Sequence, residues 1–116
     1  MVTQGDGRVS QFRKGALELA IMALLGSGEL YGVEIVDRLA ERPGLQASAG
    51  TVYPLLSRLK KSGALDSVWR ESPVGPPRKY YRLSKQGERD LAALAGSWRG
   101  LSTALDALLE EAGRRG

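Results

Sequence analysis

A mainly α fold with one small β-hairpin is what this chain predicts, and three observations predict it. Four segments carry apolar residues at the three-and-four spacing of an amphipathic helix. Two short runs, Leu65 to Glu71 and Arg78 to Leu83, alternate instead, and they flank the proline-rich stretch Ser72 to Pro77. The last helical segment repeats its large apolar residues at heptad spacing, which marks an element that packs along another helix. A chain of 116 residues has room for one compact domain with a modest core and one such projecting element.

Composition narrows the chemistry before any motif does. There is no Cys and no His, which removes disulfides, thiol nucleophiles, imidazole bases and the commonest zinc ligands, and most enzyme classes with them. The Asp and Glu of the first two helices are scattered at helix-surface spacing, with neither a carboxylate pair nor a nucleophile–base pair. An enzyme is not expected, and no metal or cofactor is implied. The longest apolar run, Leu19 to Leu25, is too short to cross a bilayer, and the start of the chain lacks a signal-peptide layout. A cytoplasmic protein is expected.

The formal charge is +4, and its distribution says more than its total. From Ser48 to Arg82 seven cations stand against two acids, whereas from Leu83 onward five stand against five. A basic excess confined to the middle of the chain is the footprint expected for a polyanion. A membrane surface is the weaker partner, because it would claim the apolar faces that the core needs.

In chain order, residues 1–11 contain Gly5 and Gly7, show no periodicity and read as a disordered arm, although Arg8 is free to touch DNA. Lys14 to Leu25 reads as a helix with Leu17, Ala20, Ile21, Leu24 and Leu25 on its core face, ended by Gly26-Ser27-Gly28. Arg13 and Lys14 oppose the macrodipole at its start, so they are either solvated boundary charges or compensated by an anion. Leu30-Tyr31-Gly32 opens a second helix that buries Tyr31, Ile35, Val36 and Leu39 and closes at Pro43-Gly44.

Ser48 to Gly63 is the stretch around which the domain is organised. Val52, Leu55, Leu56 and Leu59 make its core stripe. Gly50, Tyr53, Pro54, Ser57, Arg58 and Lys61 project the other way, a mix of small, hydroxyl and cationic groups suited to phosphates and base edges; Thr51 is a further candidate for base readout. Ser48 is placed as an N-cap, leaving first-turn N–H groups for a DNA phosphate. The competing reading is an ordinary amphipathic helix with a solvated basic face. Pro54 cannot donate to the Gly50 carbonyl, so either the first turn is distorted or the regular helix starts later than Ser48.

Gly63 stops that helix, and Leu65 to Leu83 reads as a two-stranded hairpin whose Ser72-to-Pro77 tip is not regular structure. Helix, helix, recognition helix and hairpin make a winged helix-turn-helix over residues 12–83, with Arg78 and Lys79 as the wing's cations. Tyr80 or Tyr81 either stacks on a ligand or packs the ribbon. Ser84 then caps a final helix reaching about Ala112, in the segment 84–116. Leu91, Leu94, Trp98, Leu101, Leu105 and Leu108 form its seam, expected as a homodimer interface or, failing that, folded back on the first helix. Gly96 and Gly100 weaken the helix by about 1 kcal/mol each, for close helix approach or for open space beside the Trp98 indole. Trp98, with Leu94 and Leu101 one turn away on either side, either lines an apolar cavity for a flat hydrophobic molecule or simply fills the interface.

The chain resembles the PadR-type transcriptional regulators over roughly Arg13 to Ala112. The residues that carry the resemblance are Arg13-Lys14-Gly15 with Leu17-Glu18, Leu30-Tyr31-Gly32-Val33-Glu34-Ile35, Ser48 to Leu56 with Arg58-Leu59, and Pro77 to Leu83. Four blocks in register are specific where one is weak. The resemblance implies a dimeric winged-helix repressor relieved by a small-molecule inducer that differs from member to member, of the short subfamily with a single C-terminal helix; a two-fold dimer of helix-turn-helix units is in turn expected to bind a near-palindromic double-stranded operator. It also implies that the Tyr53-Pro54 pair belongs in a recognition helix, and that Ser97-Trp98 matches a Ser-Trp pair which stacks planar drugs in multidrug-sensing members. The wing tip Gly75-Pro76-Pro77 lacks the basic residue that members often place there. The rival function is a winged-helix module that binds an acidic protein rather than DNA.

Overall fold

The structure, a computed structural model, describes residues 3–115 of the chain, and the side chains of residues 7–114 within them. Seven elements follow in order: α1 (Thr3–Leu25), β1 (Leu30–Tyr31), α2 (Gly32–Ala40), α3 (Ala49–Lys61), β2 (Leu65–Ser72), β3 (Gly75–Leu83) and α4 (Lys85–Arg115). The three strands form one antiparallel sheet in the order β1-β3-β2.

One core serves the whole N-terminal part. Leu17, Ile21, Met22 and Leu25 of α1 meet Ile35 and Leu39 of α2, Val52, Leu55, Leu56 and Leu59 of α3, and Leu30, Ala64 and Leu65 from the sheet and its approach. All four residues of the α3 stripe are buried, as their spacing requires. At a typical ~1.5–3 kcal/mol for each buried large apolar side chain, this stripe fixes which face of α3 is left for solvent.

Three local expectations are corrected. Residues 3–11, expected as a disordered arm, continue α1, whereas Met1, Val2 and Gly116 lie outside the described residues. Once Lys14 to Leu25 is helical, each further residue adds without a new nucleation cost, and the two glycines lower that gain without breaking it. Tyr31 is not helical. With Leu30 it forms β1, paired to Tyr81 and Tyr80 of β3, and its extended backbone serves as the N-cap of α2. The hairpin tip is regular: Ser72 pairs with Gly75 across a two-residue turn, Pro73-Val74. Pro76 and Pro77 fit within β3 because the register shifts between Arg70 and Ser72, and a bulge asks for no ladder N–H there.

The α3 helix runs unbroken through Pro54. Its first turn is tightened, with the N–H groups of Thr51 and Val52 both donating to the Ser48 carbonyl at 3.0 Å. Ser62 and Gly63 end it. Gly63 takes φ +89°, a conformation that suits glycine, and lets the Ala64 N–H return to the Leu59 carbonyl at 3.0 Å.

Helix α4 is rooted in that same junction. The Ser84 hydroxyl donates to the Gly63 carbonyl at 2.6 Å and accepts the Gly87 N–H at 2.9 Å, so one side chain both caps α4 and binds it to the end of α3. Gly87 lies so close that a Cβ built there would stand 2.0 Å from the Ala64 carbonyl oxygen. Leu91 packs against the core, but Leu94, Trp98, Leu101, Leu105 and Leu108 beyond it are exposed. The radius of gyration is 16.6 Å, against roughly 13 Å for a compact domain of this length; the projecting α4 accounts for the difference.

Candidate nucleic-acid interface

The polar face of α3 is open to solvent at Ser48, Gly50, Thr51, Tyr53, Pro54, Ser57, Arg58 and Lys61. Two clefts flank it. The first, about 580 Å³, lies between α1 and the start of α3 and is lined by Ser10, Arg13, Lys14, Ser48, Gly50, Thr51 and Pro54 among others. Six residues expected at a DNA surface therefore share one groove, with Arg13 and Lys14 brought to the N-terminal end of α3. The Arg13 guanidinium donates to the Gln46 carbonyl, which anchors it at the groove's edge. Ser48 holds the N-cap position but makes no capping bond, its Oγ lying 3.4 Å from the Thr51 hydroxyl instead. The first turn of α3 thus has no side-chain cap and offers a positive dipole end beside two cations.

The second cleft, about 280 Å³, lies between α3 and the wing and is lined by Tyr31, Gly32, Val33, Tyr53, Trp69, Arg78, Lys79 and Tyr81. Tyr53 does not point freely outward. Its ring covers the start of α2, where a Cβ on Gly32 would stand 2.9 Å from Cε1, so glycine is what lets α2 and α3 meet through this tyrosine. Burial, with a smaller contribution from Tyr53, pushes the Tyr81 hydroxyl above its ordinary pKa, so it stays neutral and donates or accepts as a phenol.

Aromatic rings hold the wing cations. The Arg78 guanidinium carbon lies 4.4 Å from the Tyr31 ring centre, and the Lys79 ammonium lies 6.0 Å from Trp69 and 5.7 Å from Tyr81. Trp69 is exposed, and in sequence it is only a β-former in an alternating run; the register Trp69↔Lys79 is what sets it beneath a cation. Arg58 is less free than expected, since its Nε lies 3.2 Å from Glu18 Oε2 in an ion pair with α1 that lacks a well-aligned hydrogen bond. Ser57 and Lys61 are exposed, and among the described residues their side chains make no hydrogen bond.

The residues expected at a ligand site are not assembled within one chain. Leu94 lines a small apolar cleft with Met22, Leu59 and Ala64, whereas Ser97, Trp98 and Leu101 lie on the exposed part of α4. Gly96 and Gly100 both fall about 160° around the helix from Trp98, so they make no space beside the indole, and a Cβ at either meets nothing within 4 Å. Among the described residues no helix is long and apolar enough to cross a membrane.

Residues 21–93 match the profile of the Transcriptional regulator PadR-like family. A PadR-like transcription factor from Bacteroides fragilis is 44% identical, with 85% of this chain and 95% of that one covered at a TM-score of 0.74. A PadR family transcriptional regulator from Eggerthella lenta is 34% identical over 94% of this chain and 98% of its own, with a TM-score of 0.76. A transcriptional regulator from Mycobacterium tuberculosis is 34% identical over 81 residues, which is 70% of this chain and 74% of that protein.

Proposed function

The chain belongs to the PadR-like family of transcriptional regulators, and from that premise we propose that it binds duplex DNA as a two-fold dimer and represses transcription until a small molecule releases it. One observation carries the reading: the exposed face of α3 is flanked at its start by Arg13 and Lys14 and along its side by Arg78 and Lys79. Cations at both edges of a solvent-facing helix suit a duplex, with phosphates on either side of the groove that the helix enters. In a symmetric dimer joined through α4, two such helices call for a near-palindromic operator with half-sites about 34 Å apart. Thr51, on solvent beside the N-terminus, is the better candidate for base readout, because the Tyr53 ring is partly committed to Gly32.

Replacing Arg78 or Lys79 by Ala weakens binding to all sequences alike and lowers the slope of log affinity against log salt by about one for each. Fluorescence anisotropy with a labelled duplex over a series of salt concentrations reads this. An unchanged slope in both variants takes the wing off the phosphates, and no salt-dependent binding at all favours an acidic protein partner instead.

The effector we propose is planar and hydrophobic, and it stacks on Trp98, which is 55% exposed in one chain and would approach its symmetry mate across a dimer axis. Planar aromatic compounds then quench tryptophan emission at micromolar levels, and Trp98→Ala abolishes the quenching. Quenching that survives the substitution comes from Trp69 and removes the cavity from this account.

A further inference from the structure

We infer that Tyr31 is a positioning residue for DNA binding: its ring holds the Arg78 guanidinium in a fixed plane, with the N–H edge left free for a backbone phosphate. The inference rests on the DNA-binding reading above and adds a residue that the basic footprint does not contain. Arg70 and Arg78 stand directly opposite each other on β2 and β3, a like-charge pair that would push both side chains into solvent. Each is held differently. Arg70 pairs with Glu29, its Nε 2.7 Å from Oε2, and that hydrogen-bonded carboxylate raises the pKa of the guanidinium further above its ordinary value. Arg78 has no ion-pair partner among the described residues and instead lies over Tyr31 at 4.4 Å.

The difference in partner matters for function. A carboxylate would occupy the N–H fork that a phosphate needs, whereas an aromatic face fixes the guanidinium plane and leaves its five donors open. Tyr31 is itself held from three sides. Its backbone pairs with Tyr80 in the sheet, its N–H donates to Glu34 Oε1 at 3.0 Å at the start of α2, and its ring meets that of Tyr80 edge-on at 5.4 Å and 66°. A rotamer-rich cation on a rigid platform is pre-organised, so less conformational entropy is lost when it meets DNA. Lys79, farther from both of its rings at 5.7 and 6.0 Å, is held more loosely.

The test is a double-mutant cycle read by anisotropy with a fluorescein-labelled random-sequence duplex over a KCl series, with each variant's melting temperature measured alongside. Arg78→Ala is expected to lose about eightfold in affinity at 0.1 M salt, which is one phosphate contact at a slope of about 0.9. Tyr31→Leu is expected to lose roughly two- to fivefold, the range of a cation–π contact at a partly exposed site, whereas Tyr31→Phe, which keeps the ring, binds as the native protein does. The double variant Tyr31→Leu/Arg78→Ala should bind no more weakly than Arg78→Ala alone. Native affinity in Tyr31→Leu beside a loss in Arg78→Ala, or losses that add in the double variant, overturns the positioning role and leaves DNA binding intact. Equal losses in Tyr31→Phe and Tyr31→Leu overturn it too, because the ring is then not the cause. A native protein that binds no duplex at any salt concentration brings down the DNA-binding reading, and the role of Tyr31 with it.

Discussion

Leu101→Asp is expected to give a folded monomer that has lost tight operator binding. Leu101 is 60% exposed in the isolated chain, so the substitution touches nothing on which the winged domain depends. In a two-fold dimer the same seam position meets itself or its near neighbours, and two carboxylates would enter an apolar interface without partners, at several kcal/mol each. Sedimentation at micromolar concentration should show the monomer, and the melting of the winged domain should survive. Affinity for a two-half-site operator should fall by orders of magnitude, because each half-site then binds alone and the gain in effective concentration is lost. A Leu101→Asp protein that still sediments as a dimer and still represses removes α4 from the interface.

Gly87→Ala is expected to be severely destabilising, although alanine is ordinarily the better residue inside a helix. The added methyl would stand 2.0 Å from the Ala64 carbonyl oxygen, a backbone atom at the closed end of α3. Relief requires α4 to lift from its root, which strains both Ser84 hydrogen bonds to that junction. A cost of about 2–4 kcal/mol follows from overpacking against backbone, or a fall of roughly 10 °C in melting temperature. Gly100→Ala is the control within the same helix, since its Cβ meets nothing and the change gains about 1 kcal/mol of helix propensity. Stabilisation by both substitutions would mean that α4 does not cross Ala64 as described.

What could be read from the chain was whatever depends on periodicity. The buried face of α3, the Ser84 cap and the alternation of the wing all follow from neighbours in sequence, and the structure has them. What escaped reading depends on partners far along the chain. Tyr31 sits in a helix-like context, and only β3, about fifty residues away, turns it into a strand. Ser72 to Pro77 reads as irregular because prolines break ladders, yet a bulge removes the demand for their missing N–H groups. Tyr53 has the look of a base reader until Gly32, in another element, makes room for its ring. Arg13 and Lys14 read as cations opposing the dipole at the start of a helix only while residues 3–11 count as a disordered arm; α1 runs from Thr3, so they lie in its middle, and it is the packing of α1 against α3 that sets them beside Ser48.

In the proposed dimer the root of α4 would also act as a lever. Helix α4 is about 46 Å long at 1.5 Å per residue, and its first turn is clamped to the end of α3 through Ser84 and Gly87. In the reading proposed above, α3 and α4 would therefore turn together. In the proposed dimer, a molecule wedged between the two α4 helices would change their crossing angle, and no contact near the DNA would need to break first. A swing of about 5° on an arm of about 30 Å carries each recognition helix about 3 Å, close to the rise of one base pair, which is enough to put both half-sites out of reach together.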